Sequence, residues 1–271
     1  MPIKPFSISS NKNSDFYDYE FSIFTLVNDK DQYKELLKSF EKAGFNTKNS
    51  EFGYLDNILT NSYDGFSGLN RALHIAKGKY IILVHQDVRL KFDGIEILKA
   101  KIESIEKRDP KWAVLGNAGG GFDLGEKFLR ISDTINNDLK LGSLPAKANS
   151  LDENFLLIKS STQLAFSEDL EGFHFYGTDI CQQAIFRGFT CYVIDFHLMH
   201  YSSGNKDHHY FNSKKRFIEN YGKKLSARFL RTTTTRLYLS GSKFLNLLFN
   251  QKDVLFVLRK TKIYKLLGLR K

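Results

Sequence analysis

The sequence predicts an α/β fold: a mixed, mainly parallel sheet flanked by helices, with a basic helical C-terminal extension. Three observations predict it. Apolar runs of strand length recur between Phe21 and Ser202, segments with helical apolar spacing separate most of them, and the charge changes character after Lys214. Strands that alternate with helices imply a largely parallel sheet covered on both sides.

After a polar N-terminal lead, FSIFTLV (Phe21 to Val27) reads as a strand. Lys30 to Phe45 has the spacing of an amphipathic helix ending near a glycine. A second strand, Phe52 to Leu55, reaches Asp56 and Asn57, and GFSGLNRALHIAKG then reads as a helix closed by Gly78. Tyr80 to Val84 has the β-branched and aromatic content of a strand buried on both faces. A helix from about Gly94 to Lys107 and a strand from Trp112 into the glycines of WAVLGNAGGG follow. Between Phe122 and Ser150 the pattern loosens and polar residues dominate. Asn154 to Ser161 and Phe189 to Ser202 read as strands, with a helix from Thr178 to Gly188 between them, so the sheet extends through this half. From Lys214 the chain reads as helical and basic.

With 271 residues, 42% of them hydrophobic and 14% aromatic, the chain can bury a sizeable core, in one large domain or in one domain with an appendage. Cys181 and Cys191 sit in apolar surroundings without metal-type spacing, which argues against a disulfide framework or zinc site and fits a reducing compartment. The lead MPIKPFSISSNKNSDF lacks an apolar h-region, and no run approaches the roughly 20 apolar residues that span a bilayer. The expected location is therefore the cytoplasm. The net charge of +10 is unevenly spread: lysines and arginines crowd the segment from Lys214 to Lys271, where only Glu219 and Asp253 oppose them. That asymmetry marks a polyanion or an anionic lipid surface as partner, against the alternative of a solvated cationic face. The aromatic residues there form no recognised RNA or DNA motif, so no nucleic-acid partner is expected. In KFLNLLFNQKDVLFVLRKTKIYKLLGLRK, a helix would place Phe244, Leu247, Leu248, Val254, Leu255 and Leu258 largely along one side, with Lys252, Arg259, Lys260 and Lys262 open to anionic head groups. Such a segment lies on the inner face of a membrane or packs internally; it is too charged to cross.

The core strand in GKYIILVHQDVRL runs into His85, Gln86 and Asp87 with no turn residue between. In open α/β sheets ligands bind beyond the carboxyl ends of the strands. A carboxylate there can hold a hard divalent cation, which neutralises a diphosphate and makes it a better leaving group; the alternative is a capping aspartate. NAGGGFD (Asn117 to Asp123) lacks the GxGxxG spacing of a dinucleotide site. Its glycines, Gly120 among them, let the backbone approach a sugar or relieve packing around an acceptor cleft.

The order strand, helix, LDN, GLNRALHIAKGKYIILVHQDV, a glycine-rich loop, LDENFLLIKSS, FHFYGTDICQQAIFRGFTCYVID and HYSSG resembles glycosyltransferase family 2, whose members have the GT-A (Rossmann-like) fold. The resemblance spans Phe21 to Gly204 and implies a catalytic domain over residues 1–213 with an extension over 214–271. It implies that HQD stands for the Asp-x-Asp motif that meets metal and sugar nucleotide, with Asp87 on the metal. His85 and Gln86 fall to the donor, or His85 merely caps the strand. Val27 and Asn28 fall where the family lines the base pocket. Asp56 falls where it reads the base, a role for which a carboxylate suits N3 of uracil or thymine, unless it forms an Asx turn with Asn57. Arg71 would pair with Asp56 or a phosphate, or be a surface arginine. Asp179 matches the catalytic carboxylate that takes the acceptor proton, and can also cap a helix. His200 matches the histidine that completes the metal shell, where imidazole suits manganese better than calcium; His197, three residues away on a strand, would face elsewhere. Glu153 matches a family acid of the acceptor site. The implied activity is inverting, Mn2+- or Mg2+-dependent transfer from a UDP- or dTDP-sugar to a saccharide or polyprenyl-linked acceptor in bacterial surface polysaccharide synthesis. A homodimer is the self-association considered, and an inactive sugar-nucleotide or glycan-binding module the alternative function.

Overall fold

The apolar runs become strands of one sheet because both of their faces are covered. In a computed structural model describing residues 17–202 and 207–261, β1 (Tyr19–Val27), β2 (Ser50–Asp56) and β3 (Gly78–Val84) are parallel, in the order β2-β1-β3. Helices α1 (Lys30–Lys42) and α2 (Ser67–Ile75) are the crossovers that parallel pairing requires. Asp29 starts α1: its carboxylate accepts from the N–H groups of Asp31 and Gln32 at 2.9 and 3.1 Å, satisfying two of the orphan donors of a helix N-terminus. The predicted polar lead at 1–16, residues 203–206 and the basic tail at 262–271 lie outside the described residues.

Next in the chain come β4 (Val88–Arg89), α3 (Ile95–Arg108), β5 (Trp112–Gly116), β6 (Ala118–Gly120), β7 (Lys127–Ser132), β8 (Leu139–Leu141), β9 (Ala146–Ala148), β10 (Ser150–Leu151) and β11 (Phe155–Lys159). Helix α4 (Tyr176–Phe186), β12 (Thr190–Val193) and β13 (Leu198–His200) complete the region. Alternate residues of the strands divide between two layers. Phe21 and Ile23 of β1 and Tyr80, Ile82 and Val84 of β3 pack with Leu36 and Phe40 of α1 and with Leu98, Ile102 and Ile105 of α3. Their neighbours of opposite parity, Phe24, Ile81 and Leu83, are buried as well, and α4 packs on β5 and β12. Full burial of each such side chain contributes about 1.5–3 kcal/mol, which is why β1 and β3 are interior strands covered on both faces.

The central sheet runs β2-β1-β3-β11-β5-β12-β9. It is mixed and mainly parallel, as expected: β2, β1, β3, β5 and β12 run one way, while β11 lies antiparallel to both β3 and β5, and β9 antiparallel to β12. The polar stretch after Phe122 is also more ordered than its composition predicts. It supplies β7, β8 and β9, short strands whose exposed residues, such as Lys127 and Leu139, dilute the apolar signal. The run from Phe189 to Ser202 is not one strand. It divides into β12 in the central sheet and β13 in a second sheet of order β10-β6-β7-β13-β4.

The chain divides into two units, Met1–Ser213 and Lys214–Lys271. Helix α5 (His208–Leu225) begins in the first and ends in the second. The second is not wholly helical: β14 (Arg228–Arg231) and β15 (Arg236–Leu239) form a hairpin, followed by α6 (Lys243–Phe249) and α7 (Lys252–Thr261). Its small core is aromatic, with the Tyr238 ring 4.9 Å from those of Phe229 and Phe249. The predicted single helix from Lys243 is two helices. The Asn250 amide accepts from Tyr238 N and donates to the carbonyls of Tyr238 and Asn246, which ends α6 and ties it to the hairpin. Among the described residues, no helix is long and apolar enough to cross a membrane.

Candidate metal and donor site

The carboxyl ends of β1, β2 and β3 stand side by side, Val27 in register with Asp56 and Phe24 with Leu83. Past Val84 the chain turns at once, His85 N–H donating to Asn154 O at 3.0 Å and Val88 N–H to His85 O at 3.1 Å. The turn presents His85 and Asp87 while returning the chain as β4. Antiparallel pairing of β4 with β13 sets His200 opposite Val88, and Tyr201 N–H donates to Asp87 O at 3.1 Å. Residues far apart in sequence thus converge: ligand atoms of His85, Asp87 and His200 all lie within 4.8 Å of one another.

This donor set fits a divalent cation. His200 Nε2 is buried, makes no hydrogen bond, and points at Asp87 Oδ1 from 3.3 Å. The ion pair with Asp87 answers part of that nitrogen's burial cost, and a metal held between it and the carboxylate would answer the rest. His85 Nε2 lies 2.8 Å from the Tyr176 hydroxyl, whose own proton goes to Glu153 O at 3.3 Å. The hydroxyl therefore accepts from His85, which leaves the Nδ1 lone pair for a cation and fixes the ring as metal-bound histidines require. Two imidazoles and one carboxylate suit Mn2+ better than an all-oxygen ion such as Ca2+.

The electrostatics agree. Burial pushes the Asp87 carboxyl up, but His200 and His85 outweigh it and hold it below its ordinary value. Loss of hydration acts against charge on His200, yet Asp87 prevails and raises it. Burial of His85 dominates over the pull of Asp87 and lowers it. The neutral His85 imidazole and the ionised Asp87 carboxylate are the forms that bind metal, whereas a metal on His200 would have to displace the proton that Asp87 favours there.

Around this cluster the other predicted donor residues are placed unevenly. Gln86 is spent within the protein: its Oε1 accepts from the N–H groups of Asn28 and Asp29 at 3.0 Å each, and its Nε2 donates to Asn28 Oδ1. It ties the end of β1 to the end of β3. Val27 is fully buried and its carbonyl accepts from Asn57 N at 2.8 Å. Asp56 is exposed at the end of β2, and its Oδ1 accepts from Ile58 N at 3.0 Å, the Asx turn that the sequence allowed. Arg71, exposed on α2, lies over the Tyr63 ring at 5.6 Å rather than against Asp56. His197 is apart from the cluster, buried with Nε2 2.8 Å from Ser132 Oγ and its ring stacked on Phe92 at 3.8 Å. Gly120 has room for a side chain. Gly119 is the glycine that close approach demands, since a Cβ there would lie 2.3 Å from Ser150 O.

Asp179 has a different setting from the one the resemblance implies. It is wholly buried in the first turn of α4, its Oδ2 accepting from Ser167 N at 2.7 Å and its Oδ1 from Ser167 Oγ at 2.6 Å. A carboxylate so enclosed braces the loop before α4.

Over 226 residues the chain is 39% identical to a protein of Fuscovulum blasticum named ATP synthase subunits region ORF 6, a match covering 82% of this chain and 91% of that one. The chain belongs to the family of that protein. The name states no reaction. No protein-family model matches the chain. Two solved structures are similar. S. aureus TarS has 15% identity and a TM-score of 0.47 over 77% of this chain and 44% of its own, so this family member spans less than half the length of TarS. The mannosyltransferase PcManGT from Pyrobaculum calidifontis, in complex with GDP-Man and Mn2+, has 10% identity and a TM-score of 0.49 over 82% of this chain and 67% of its own.

In this family member, sequence reasoning missed Tyr176 and the metal-facing position of His85. Tyr176 is 3% exposed and opens a helix, so by pattern it is a core aromatic, and only the fold brings its hydroxyl to His85.

Proposed function

We propose that the protein is an inverting, metal-dependent glycosyltransferase of the GT-A, family 2 type, moving a sugar from a UDP- or dTDP-sugar to a saccharide or lipid-linked acceptor in surface polysaccharide synthesis. The observation that carries this reading is the His85, Asp87 and His200 cluster at the carboxyl end of β3, with the exposed Asp56 at the same end of β2, across β1. Asp87, His200 and His85 would hold Mn2+ or Mg2+, whose charge neutralises a diphosphate and eases its departure. Asp56 is offered to the base, while Asn28 and Gln86 fix the spacing between β1 and β3. Inversion also needs a group to take the acceptor proton; Asp179, the residue that the resemblance offers for it, accepts from Ser167 N–H and Oγ.

The test is thermal unfolding against a panel of UDP-, dTDP- and GDP-sugars with and without Mn2+. A ligand at about 100 times its Kd stabilises by about 2.7 kcal/mol, a rise of roughly 5–10 °C for a chain of this size. The expected outcome is such a rise for a uridine or thymidine diphosphate sugar only with Mn2+. No rise with any nucleotide sugar would remove the reading; a rise without donor turnover would make the protein a binding module.

We also propose that the second unit lies on the anionic inner surface of a membrane and serves a lipid-linked acceptor. Phe244 and Leu247 of α6 are 69% and 68% exposed, and Leu230, Leu237 and Leu239 of the hairpin are exposed as well, among Lys243, Lys252 and Arg236. Exposed apolar side chains ringed by cations match an interfacial surface. Each basic residue contributes about 1 kcal/mol near anionic lipid, so the protein should co-sediment with phosphatidylserine vesicles in low salt and not with phosphatidylcholine alone. A folded Phe244→Ser/Leu247→Ser double variant should lose this binding; retention would show that these side chains do not insert.

A further inference from the structure

The chain that leaves the metal turn as β4 runs on to Gly94 along the second half of α1, where Leu90 N–H donates to Ser39 Oγ at 3.2 Å and Ile95 N–H to Ala43 O at 2.9 Å. Between them lies a cavity of about 670 Å3, lined by Lys38 and Lys42 of α1, by Arg89 and Lys91, and by the rings of Phe92 and Tyr201. Two acids also line it, and both are engaged: Glu35 pairs with Lys38 at 2.7 Å, and Asp93 Oδ2 accepts from His197 N–H at 2.6 Å. Among the described residues, no carboxylate lies within ion-pair distance of Lys42, Arg89 or Lys91. Arg89 is fixed in the wall, its Nη1 donating to the carbonyls of Gln86 and Val88 at 2.8 Å each. Its guanidinium carbon stands 5.7 Å from the centre of the Tyr201 ring, while Lys91 Nζ stands 5.1 Å from the same centre and donates to the hydroxyl at 2.5 Å. Two cations gathered on one ring repel each other, and an anion held between them would offset that repulsion.

We propose that this cavity binds the phosphate of an anionic lipid head group, a contact of the first unit that needs none of the residues on which the membrane reading of the second unit rests. The charges are complementary, since four cations face two carboxylates already engaged, and the fork of a fixed arginine takes phosphate oxygens through parallel N–H bonds. The volume falls in the range of roughly 300–1,000 Å3 that small-molecule sites occupy, room for a head group and not merely a bare ion. The rings select lipid over a soluble phosphate. Phe92 and Tyr201 are both exposed, Phe92 with one face stacked on His197, and aromatic side chains beside cations settle at the boundary between head groups and acyl chains. Tyr201 follows His200 in the chain and its N–H is bonded to Asp87 O, so a lipid held here sets a membrane surface beside the metal cluster.

The experiment measures co-sedimentation of the full chain with vesicles of phosphatidylglycerol, whose net charge sits on its phosphate, mixed with phosphatidylcholine. Lys42→Gln/Lys91→Gln should weaken binding by roughly 30-fold, about fivefold for each cation lost. Lys48→Gln/Lys127→Gln removes the same charge from exposed positions of the first unit outside the cavity, and should weaken binding by less than about threefold. Phe92→Ser should weaken it with all charges kept. All of these side chains are exposed, so thermal unfolding should match the wild type; Lys42→Gln alone carries the test if the double variant unfolds. Calorimetry with UDP and with inorganic phosphate should find Lys42→Gln/Lys91→Gln within about twofold of wild type. Equal losses in the two lysine pairs would reduce the effect to diffuse charge and overturn the assignment. So would vesicle binding by Lys42→Gln/Lys91→Gln within about threefold of wild type, or a loss of UDP or phosphate affinity with vesicle binding kept. In each of these cases the Phe244→Ser/Leu247→Ser variant still decides the reading of the second unit by itself. A wild type that leaves phosphatidylglycerol vesicles unbound would sink both.

Discussion

Asp87→Asn leaves a folded protein on which Mn2+ has no effect. The neutral amide keeps the shape of the turn after β3 but removes the one anionic ligand from a cluster otherwise made of two imidazoles. Residues that only support a metal ligand cost about 10–100-fold in affinity or activity when changed, so loss of the carboxylate itself should exceed that. A second readout separates this from misfolding. Without metal, His200 has its pKa raised by Asp87, so its contribution to stability is complete below its ordinary 6.5 and is lost as pH rises through the folded value. Asp87 has its pKa lowered, so its contribution is present above its ordinary 3.8 and is lost as pH falls through the folded value. The pair therefore stabilises most between those two ordinary values. His85, lowered by burial, acts in the opposite direction in the same range, and comparison with the variant cancels most of its effect. Chemical denaturation at pH 5 and pH 8 should show the wild-type advantage over Asp87→Asn at pH 5 shrinking at pH 8. A variant still stabilised by Mn2+, or one whose stability tracks the wild type across that range, would exclude Asp87 as ligand.

Asp179→Ala should act on stability, not on chemistry. The substitution leaves Ser167 N–H and Oγ in a buried place without their acceptor, and each buried group so abandoned costs about 1–3 kcal/mol. The sum, about 2–6 kcal/mol, is a large part of the stability of an ordinary domain. Asp179→Asn is milder, since its carbonyl can still accept from Ser167 N–H while the hydroxyl turns to accept from the amide. The expected result is a lower denaturation midpoint for both variants, alanine the lower, with turnover per folded molecule within a few-fold of wild type. Near-native stability together with lost turnover would return the proton-accepting role to Asp179.

The sequence by itself determined what local spacing and burial can specify. Leu36 and Phe40 recur at helical distance behind an aspartate cap, and Tyr80 to Val84 is apolar without interruption, so α1 and β3 could form only as they do. The placement of His85, Gln86 and Asp87 at the carboxyl end of β3 follows from that run alone. Strand direction was not legible, because it depends on partners far along the chain: Phe155 to Lys159 is as apolar as any parallel strand, yet β11 enters antiparallel between β3 and β5. The short strands of the polar stretch were hidden for a related reason, since β7 and β8 have few buried positions and owe their order to pairing. Chemistry followed the same division. That Asp87 ends a core strand is a property of its neighbours in sequence; that His85 and His200 join it is a property of β4 pairing with β13. Depth was the last thing the tertiary structure decided. Asp179 and Glu153 are both carboxylates beside the start of α4. Packing encloses the first against Ser167, while the missing Cβ of Gly177 lets the second turn to the amide at the start of α4, because the surroundings of a side chain depend on what the rest of the chain lays against it.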